Sequence, residues 1–366
     1  MKLYVIAGES SGDMHTASLI SELKLLCPEI QLRGMGGNMM LEQGVSLTQH
    51  YSGFNVVGLV EVIKKLPTLL KVMQKIKDDI LSWKPDAVLL TDYPAFNMRI
   101  ARFSHQHRIP VYYYISPQVW AWKENRVKAI KKYVDQMMVI LPFEQEFYQK
   151  HDIQVSYVGH PLIDVIDKYK KQTTPVLSYE KPVLAILPGS RRHEIATMLP
   201  VMLKAAADYA ADFSIVVAGA PSLSESFYRP FLNLYPQVHW LNNKTYDLLK
   251  ISHSAIVTSG TATLETALFG VPQVVCYKGN RLSYIVAKQL VKIKYISLVN
   301  LILDKPCVEE LIQNDMNVQR IKTSLAGILH ARRAEISTDY QKLYESLGKS
   351  GASKTAAATL YKWMKD

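Results

Sequence analysis

The sequence predicts an α/β protein built of two Rossmann-like, doubly wound domains facing a cleft. Three observations predict it. Short, wholly apolar runs alternate with longer amphipathic stretches. The alternation comes in two series, divided by a polar segment that carries two prolines. A chain of 366 residues, 48% hydrophobic and 20% charged, can also bury two cores at roughly 150 residues per domain.

In the first series LYVIA (3–7), AVLL (87–90), VYYYI (111–115) and MMVIL (137–141) read as buried strands. Helical stretches lie between and after them at 14–26, 61–82, 97–107 and 123–133. In the second, VLAIL (183–187), SIVVA (214–218), AIVT (255–258) and QVVCY (273–277) are strands, with helices near 194–211, 224–234, 261–269 and 281–291. Continuous apolar strands separated by helices imply parallel sheets covered on both faces. The expected domains are 1–166 and 183–345, joined by a linker at 167–182, with a C-terminal helix within 346–366 packing back on the first domain. Ligands of such sheets bind at strand ends and helix N-termini, so the residues just after strands are the informative ones.

Charge is uneven. The first 165 residues carry 18 Lys and Arg against 16 Asp and Glu, and the rest carry 25 against 16. The excess in the second half suits an anionic ligand there. Three well-separated cysteines, Cys27, Cys276 and Cys307, argue against a secreted disulfide scaffold. The N-terminus reads as a strand rather than a signal peptide, and no apolar run approaches 18 residues, so a cytoplasmic location is expected.

Four loops carry candidate chemistry. GESSGD (8–13) follows the first strand, with glycines that admit a close neighbour and Ser10, Ser11 and Asp13 as helix caps. Glu9, Ser11, Gly12 and Asp13 are its candidate substrate contacts. Its G-x-S-x-G spacing is not a hydrolase elbow, because too little chain precedes Ser10 to supply the second oxyanion donor. TDYPAFN (91–97) puts Asp92 just past a strand, where partial burial would suit it to be a general base. A turn or helix-capping Asp explains the same position, and for an isolated Asp before a helix that is the stronger explanation. LPGSRRHE (187–194) offers Gly189, Ser190 and Arg191 at a helix start, the donors a phosphate needs. TSGTATLE (258–265) offers Ser259, Gly260 and Thr261 to a diphosphate, with Glu265 one turn on to accept from ribose hydroxyls. A capping box is the alternative there.

Other patterns fail. GMGGN (34–38) lacks dinucleotide-motif spacing, and GKS (348–350) has Leu343 where a P-loop needs glycine. No D-x-D occurs, which removes the usual carboxylate pair for a metal-bound nucleotide sugar, so no metal or cofactor is expected. No nucleic-acid module is present. The stretch 61–80 mixes Lys64, Lys65 and other lysines with Leu69, Leu70 and Met73, a composition suited to anionic lipid, although an ordinary amphipathic helix covering a sheet is the more frequent explanation. The segment 286–298 has the same mixture.

Taken together, AGESSGD (7–13), VVGLVEV (56–62), TDYPAFN (91–97), ISPQVWAW (115–122), LPFEQEFY (141–148), VGHPL (158–162), LPGSR (187–191), SGTATLE (259–265) and YISLVNLI (295–302) closely resemble the lipid-A-disaccharide synthase family along nearly the whole chain. The resemblance implies a glycosyltransferase of the GT-B architecture. It would transfer 2,3-diacylglucosamine from its UDP derivative to 2,3-diacylglucosamine 1-phosphate (lipid X), with inversion and without metal, giving the β-1,6 disaccharide of lipid A. It implies peripheral association with the cytoplasmic face of the inner membrane and leaves open an oligomer. The family's essential acid falls on Asp92 and its P-G-S-R arginine on Arg191. Asn300 and Gln313 correspond to donor-side residues. The sequence departs at Ala95, where a second Asp is frequent, and at Val299, where Pro is usual. The Ala95 change concentrates the base role on Asp92. The rival readings are a soluble UDP-sugar epimerase on the same plan and a non-catalytic lipid- or nucleotide-binding module.

Overall fold

The computed structural model describes residues 1–54, 59–122, 126–172, 177–279 and 294–365; side chains of residues 53, 54, 59–66, 121 and 122 lie outside that description. The expected 281–291 helix and most of 286–298 therefore fall outside it. The chain divides into two compact units, Met1–Asp164 with Leu347–Asp366, and Val165–Ser346.

The first unit holds a seven-stranded sheet: β1 (Lys2–Ala7), β2 (Gln31–Gly36), β3 (Ser46–His50), β4 (Ala87–Thr91), β5 (Val111–Tyr114), β6 (Gln136–Val139) and β7 (Ser156–Tyr157), in the order β3-β2-β1-β4-β5-β6-β7. The second holds β8 (Val183–Leu187), β9 (Ser214–Gly219), β10 (His239–Asn242), β11 (Ser252–Thr258), β12 (Gln273–Tyr277) and β13 (Glu309–Ile312), in the order β10-β9-β8-β11-β12-β13. Every described pairing is parallel. Parallel neighbours place all carboxyl ends of one sheet on the same edge.

The central strands are wholly buried because helices cover both faces. Tyr4, Ile6, Val88, Leu90 and Tyr113 pack against Ile76 and Ile80 of the Leu59–Trp83 helix. That packing corrects the lipid-facing assignment: Met73 is buried and Leu69 packs on the same core, while Leu70 alone of those three is well exposed, at 54%. The Lys64 and Lys65 side chains lie outside the described residues. In the second unit Ala185, Val216 and Val257 pack against Leu248 and Leu249 of the Thr245–Ile251 helix.

The 167–182 linker begins later than expected. The Pro161–Lys171 helix runs through its first five residues, and Asp167 accepts the Tyr344 hydroxyl at 3.0 Å. The Ala352–Trp363 helix packs on the Ser10–Leu26 helix within the first unit. Asp164 fastens it by accepting the Ser353 amide at 2.8 Å and the Ala352 amide at 3.3 Å.

Candidate functional site

The residues after β1 and β4 form the first cluster. Asp92 follows β4 directly, and its amide continues the ladder to the Tyr114 carbonyl at 3.2 Å. Asp92 and Tyr93 both take left-handed backbone angles, φ 45° and 48°. Pro94 then starts the Pro94–Gln106 helix, which has no side-chain N-cap. The Asp92 carboxyl is half-buried. Burial pushes its pKa up to about 6; Glu9 and, more weakly, Glu144 add to the rise, and the Tyr93 amide opposes it.

The loop after β1 serves this turn. A side-chain carbon at Gly8 would stand 2.2 Å from the Tyr93 ring, so glycine is what lets that ring lie against the strand end. The close neighbour is therefore Tyr93. Ser11 and Glu9 are exposed, and Glu9 begins the Ser10–Leu26 helix without a side-chain cap. Gly12 is buried, and a carbon there would meet Ala7 and Thr91 only at ordinary contact distance.

Asp13 needs correction as a substrate contact. It is 2% exposed, and its carboxylate accepts the amides of Gly37 at 2.7 Å, Met39 at 3.1 Å and Met40 at 3.2 Å. It caps the Asn38–Glu42 helix, and GMGGN is its partner. Of the three acids near this edge, Asp13 is locked in structure and Glu9 is exposed. Asp92 is half-buried and uncommitted to a cap, with its pKa raised by burial.

Glu144 went unrecognised as an organising residue. Fully buried, it accepts from Ser116 Oγ at 2.5 Å, Trp120 Nε1 at 3.1 Å, Leu141 N at 3.0 Å and Ile140 N at 3.2 Å. It ties the loop after β5 to the loop after β6. Its signal was the pairing of two motifs, ISPQVWAW and LPFEQEFY, that share no local pattern.

In the second unit, Gly189 after β8 and Gly260 after β11 have φ 106° and 151°, angles that favour glycine. Each precedes a helix with no side-chain cap, Arg192–Ala206 and Thr261–Leu268. Such helix starts present unpaired N–H groups to an anion. Ser190, Arg191, Gly260 and Thr261 are exposed at these turns. The Arg191 guanidinium meets Glu194 at 2.9 Å. Glu265 accepts from the Tyr246 hydroxyl at 2.7 Å, and burial raises its pKa against that bond.

Two assignments change here. Ser259 does not offer free donors: its amide continues the ladder to Cys276 O at 2.9 Å, and its hydroxyl donates to Ile296 O at 3.0 Å. Asn300 is 1% exposed and does not line a binding surface. Its Nδ2 donates to Val308 O at 2.8 Å and Glu310 Oε1 at 2.9 Å, and its Oδ1 accepts from Val308 N at 2.9 Å. Glu310 also accepts the amides of Ile296 and Ser297, both at 2.9 Å. Asn300 and Glu310 thus anchor the segment that Ser259 touches. Gln313 differs: it follows β13 at φ 54°, its backbone amide donates to Tyr277 O at 2.8 Å, and its buried Nε2 has no partner among the described residues.

Among the described residues, no cluster of His, Cys, Asp or Glu could hold a metal ion, and no helix is long and apolar enough to cross a membrane.

Two Rossmann-like parallel-sheet domains with these loops define the GT-B glycosyltransferase class of fold. Solved structures agree at the level of fold: a glycotransferase of kitacinnamycin (TM-score 0.70, 12% identity, 99% of each chain) and a UDP-GlcNAc 2-epimerase from Neisseria meningitidis bound to UDP-GlcNAc (0.64, 16%, 99% of this chain and all of that one). The family model described as lipid-A-disaccharide synthetase matches residues 3–362. Proteins named lipid-A-disaccharide synthase from Syntrophus aciditrophicus and Geobacter sulfurreducens are 40% and 36% identical, covering 96% and 97% of this chain and 95% of each relative. The chain belongs to the lipid-A-disaccharide synthase family, a family of hexosyltransferases.

Proposed function

We propose that the chain transfers 2,3-diacylglucosamine from UDP-2,3-diacylglucosamine to the 6-hydroxyl of 2,3-diacylglucosamine 1-phosphate, releasing UDP with inversion. Asp92 takes the acceptor proton as the new bond to the anomeric carbon forms. The bond from that carbon to the diphosphate breaks, and UDP leaves with its electrons. Arg191, Ser190 and the helix starts at Gly189 and Gly260–Thr261 stabilise the departing diphosphate. Glu265 accepts from the ribose, and the free Gln313 amide donates on the donor side. Fixed dipoles and a guanidinium do here what a metal does elsewhere; one such donor supplies about 3 kcal/mol in a preorganised site. Turnover accordingly survives chelation of divalent metals.

The observation that carries the reading is the half-buried Asp92 carboxyl, raised to about 6, whereas the Asp13 carboxylate is already filled by three amides. The test is Asp92→Asn, which should abolish turnover while leaving UDP binding nearly intact; near-normal turnover would remove Asp92 from the role of base. The epimerase reading has support only from fold. It predicts reaction of the UDP-sugar without acceptor, whereas UDP release here should require an acylated acceptor. We assign the chain to the cytoplasmic face of the inner membrane, held peripherally. The exposed Leu70 and Lys71 on the Leu59–Trp83 helix suit an anionic lipid surface, and flotation with anionic but not neutral vesicles tests it.

A further inference from the structure

The Asp92–Tyr93 turn is held in a way that neither strand pairing nor helix capping requires. Two successive non-glycine residues in the left-handed region are strained, and such strain persists only where the surroundings over-determine it. The Asn97 side-chain amide donates to Asp92 O at 2.7 Å and Thr91 O at 3.0 Å. The Tyr113 hydroxyl donates to the same Asp92 carbonyl at 2.6 Å. Tyr93 is seated over Gly8.

We propose that Asn97 and Tyr113 are positioning residues for Asp92, their joint grip on its main-chain carbonyl turning that carbonyl inward and the carboxyl outward past the end of β4.

This inference rests on Asp92 being the base. Asn97 is wholly buried, and its Oδ1 finds no partner among the described residues. An apolar residue would fill that space without an orphaned acceptor, so what the amide adds is its two donated bonds. Tyr113 is also wholly buried. Burial, with the nearby Asp92 carboxylate, holds its hydroxyl protonated well past the working range, so it remains a donor. Neither side chain makes contact with the reacting atoms in this scheme; both act through the backbone of Asp92.

The test compares Asn97→Leu, which keeps volume, and Tyr113→Phe, which removes one oxygen, in the full chain with UDP-sugar and acylated acceptor. Each variant is first checked for folding by near-UV circular dichroism. The expected result is a loss in kcat of about 10- to 100-fold for Asn97→Leu and less for Tyr113→Phe, with KM for the UDP-sugar within about twofold. The acid limb of the pH–rate profile should also move from near 6 towards the ordinary carboxylate range, as Asp92 turns to water. The other groups acting on Asp92 from neighbouring elements are Glu9, Tyr93 and Glu144, unchanged in both variants. Wild-type kcat in both variants overturns the inference. So does a loss of activity with the acid limb unmoved, the mark of a purely structural role. Asp92→Asn separates the two readings: retained turnover there sinks the assignment of the base, and this inference with it.

Discussion

The Asp13 carboxylate accepts the Gly37 amide at 2.7 Å and joins the helix after β1 to the turn after β2. With Met39 and Met40 also donating, three N–H groups, two of them buried, depend on one side chain. Asp13→Ala leaves them without acceptors, and each unsatisfied buried donor costs about 1–3 kcal/mol. The variant should lose at least about 2 kcal/mol of stability in urea titration. The acid limb of its remaining activity should stay where the wild type has it. A shift of that limb would return Asp13 to the list of candidate bases.

Asp92 makes the opposite prediction for stability. Its folded pKa, about 6, lies above the 3.8 of an ordinary aspartate. A raised carboxyl favours the fold while protonated, so its contribution is full below 3.8 and is lost as pH rises through about 6. Asp92→Asn cannot ionise and should be more stable than wild type by up to about 3 kcal/mol above pH 6, with the advantage shrinking to nothing near pH 3.5. Activity has the reverse dependence, because the base acts only when ionised: wild-type kcat/KM should fall below pH 6. Parallel stability curves for the two proteins would mean that Asp92 is not desolvated.

The buried centres of both sheets were legible in the sequence because strands covered on both faces must be continuously apolar. Eight such runs were expected and all eight are strands. Four of the five unexpected strands, β3, β7, β10 and β13, are sheet edges, whose polar residues erase the signal. The fifth, β2, is interrupted by Gly34 and Gly36. The site was legible as loops after strands, and less so as roles. Asp13, Ser259 and Asn300 sit in the right motifs, yet their donors or acceptors are committed to partners 24 or more residues away, or to a neighbouring segment. Sequence position gives no account of such closure. Glu144 and Tyr113 were missed for the same reason.

Arg191 and Glu194 form an exposed pair at the start of the Arg192–Ala206 helix. Glu194 Oε2 would lie 3.3 Å from a side-chain carbon at Gly189, so its negative charge stands over the loop assigned to the diphosphate. Arg191→Ala should weaken UDP binding about 10- to 100-fold, the range for charge-assisted bonds. Glu194→Gln removes a competitor for the guanidinium and should tighten UDP by roughly two- to fivefold, since an exposed ion pair is worth under about 1 kcal/mol. Calorimetry with UDP measures both. Weaker binding on Glu194→Gln would mean that Glu194 orients the arginine for the ligand.

His15 and His160 set the acid limit of the first unit. Burial pushes His15 down to about 4, with Asp164 opposing, and His160 down to about 3, with His15 adding to the fall. Both fold neutral, and His160 Nδ1 accepts the Leu162 amide at 3.2 Å. In the unfolded chain each takes a proton near 6.5, so stability is lost as pH falls from 6.5 through about 4 for His15 and about 3 for His160. This slope runs against that of Asp92 and exceeds it, because two groups contribute. Wild type should therefore lose several kcal/mol between pH 6.5 and 4. His160→Gln, whose carbonyl can still accept from Leu162, should lose little over that interval, because the fall from His15 alone is then nearly offset by Asp92. Urea denaturation at a series of pH values reads the difference directly. Parallel wild-type and variant curves across that interval would mean that His160 is protonated in the folded chain, and that the acid limit belongs to other groups.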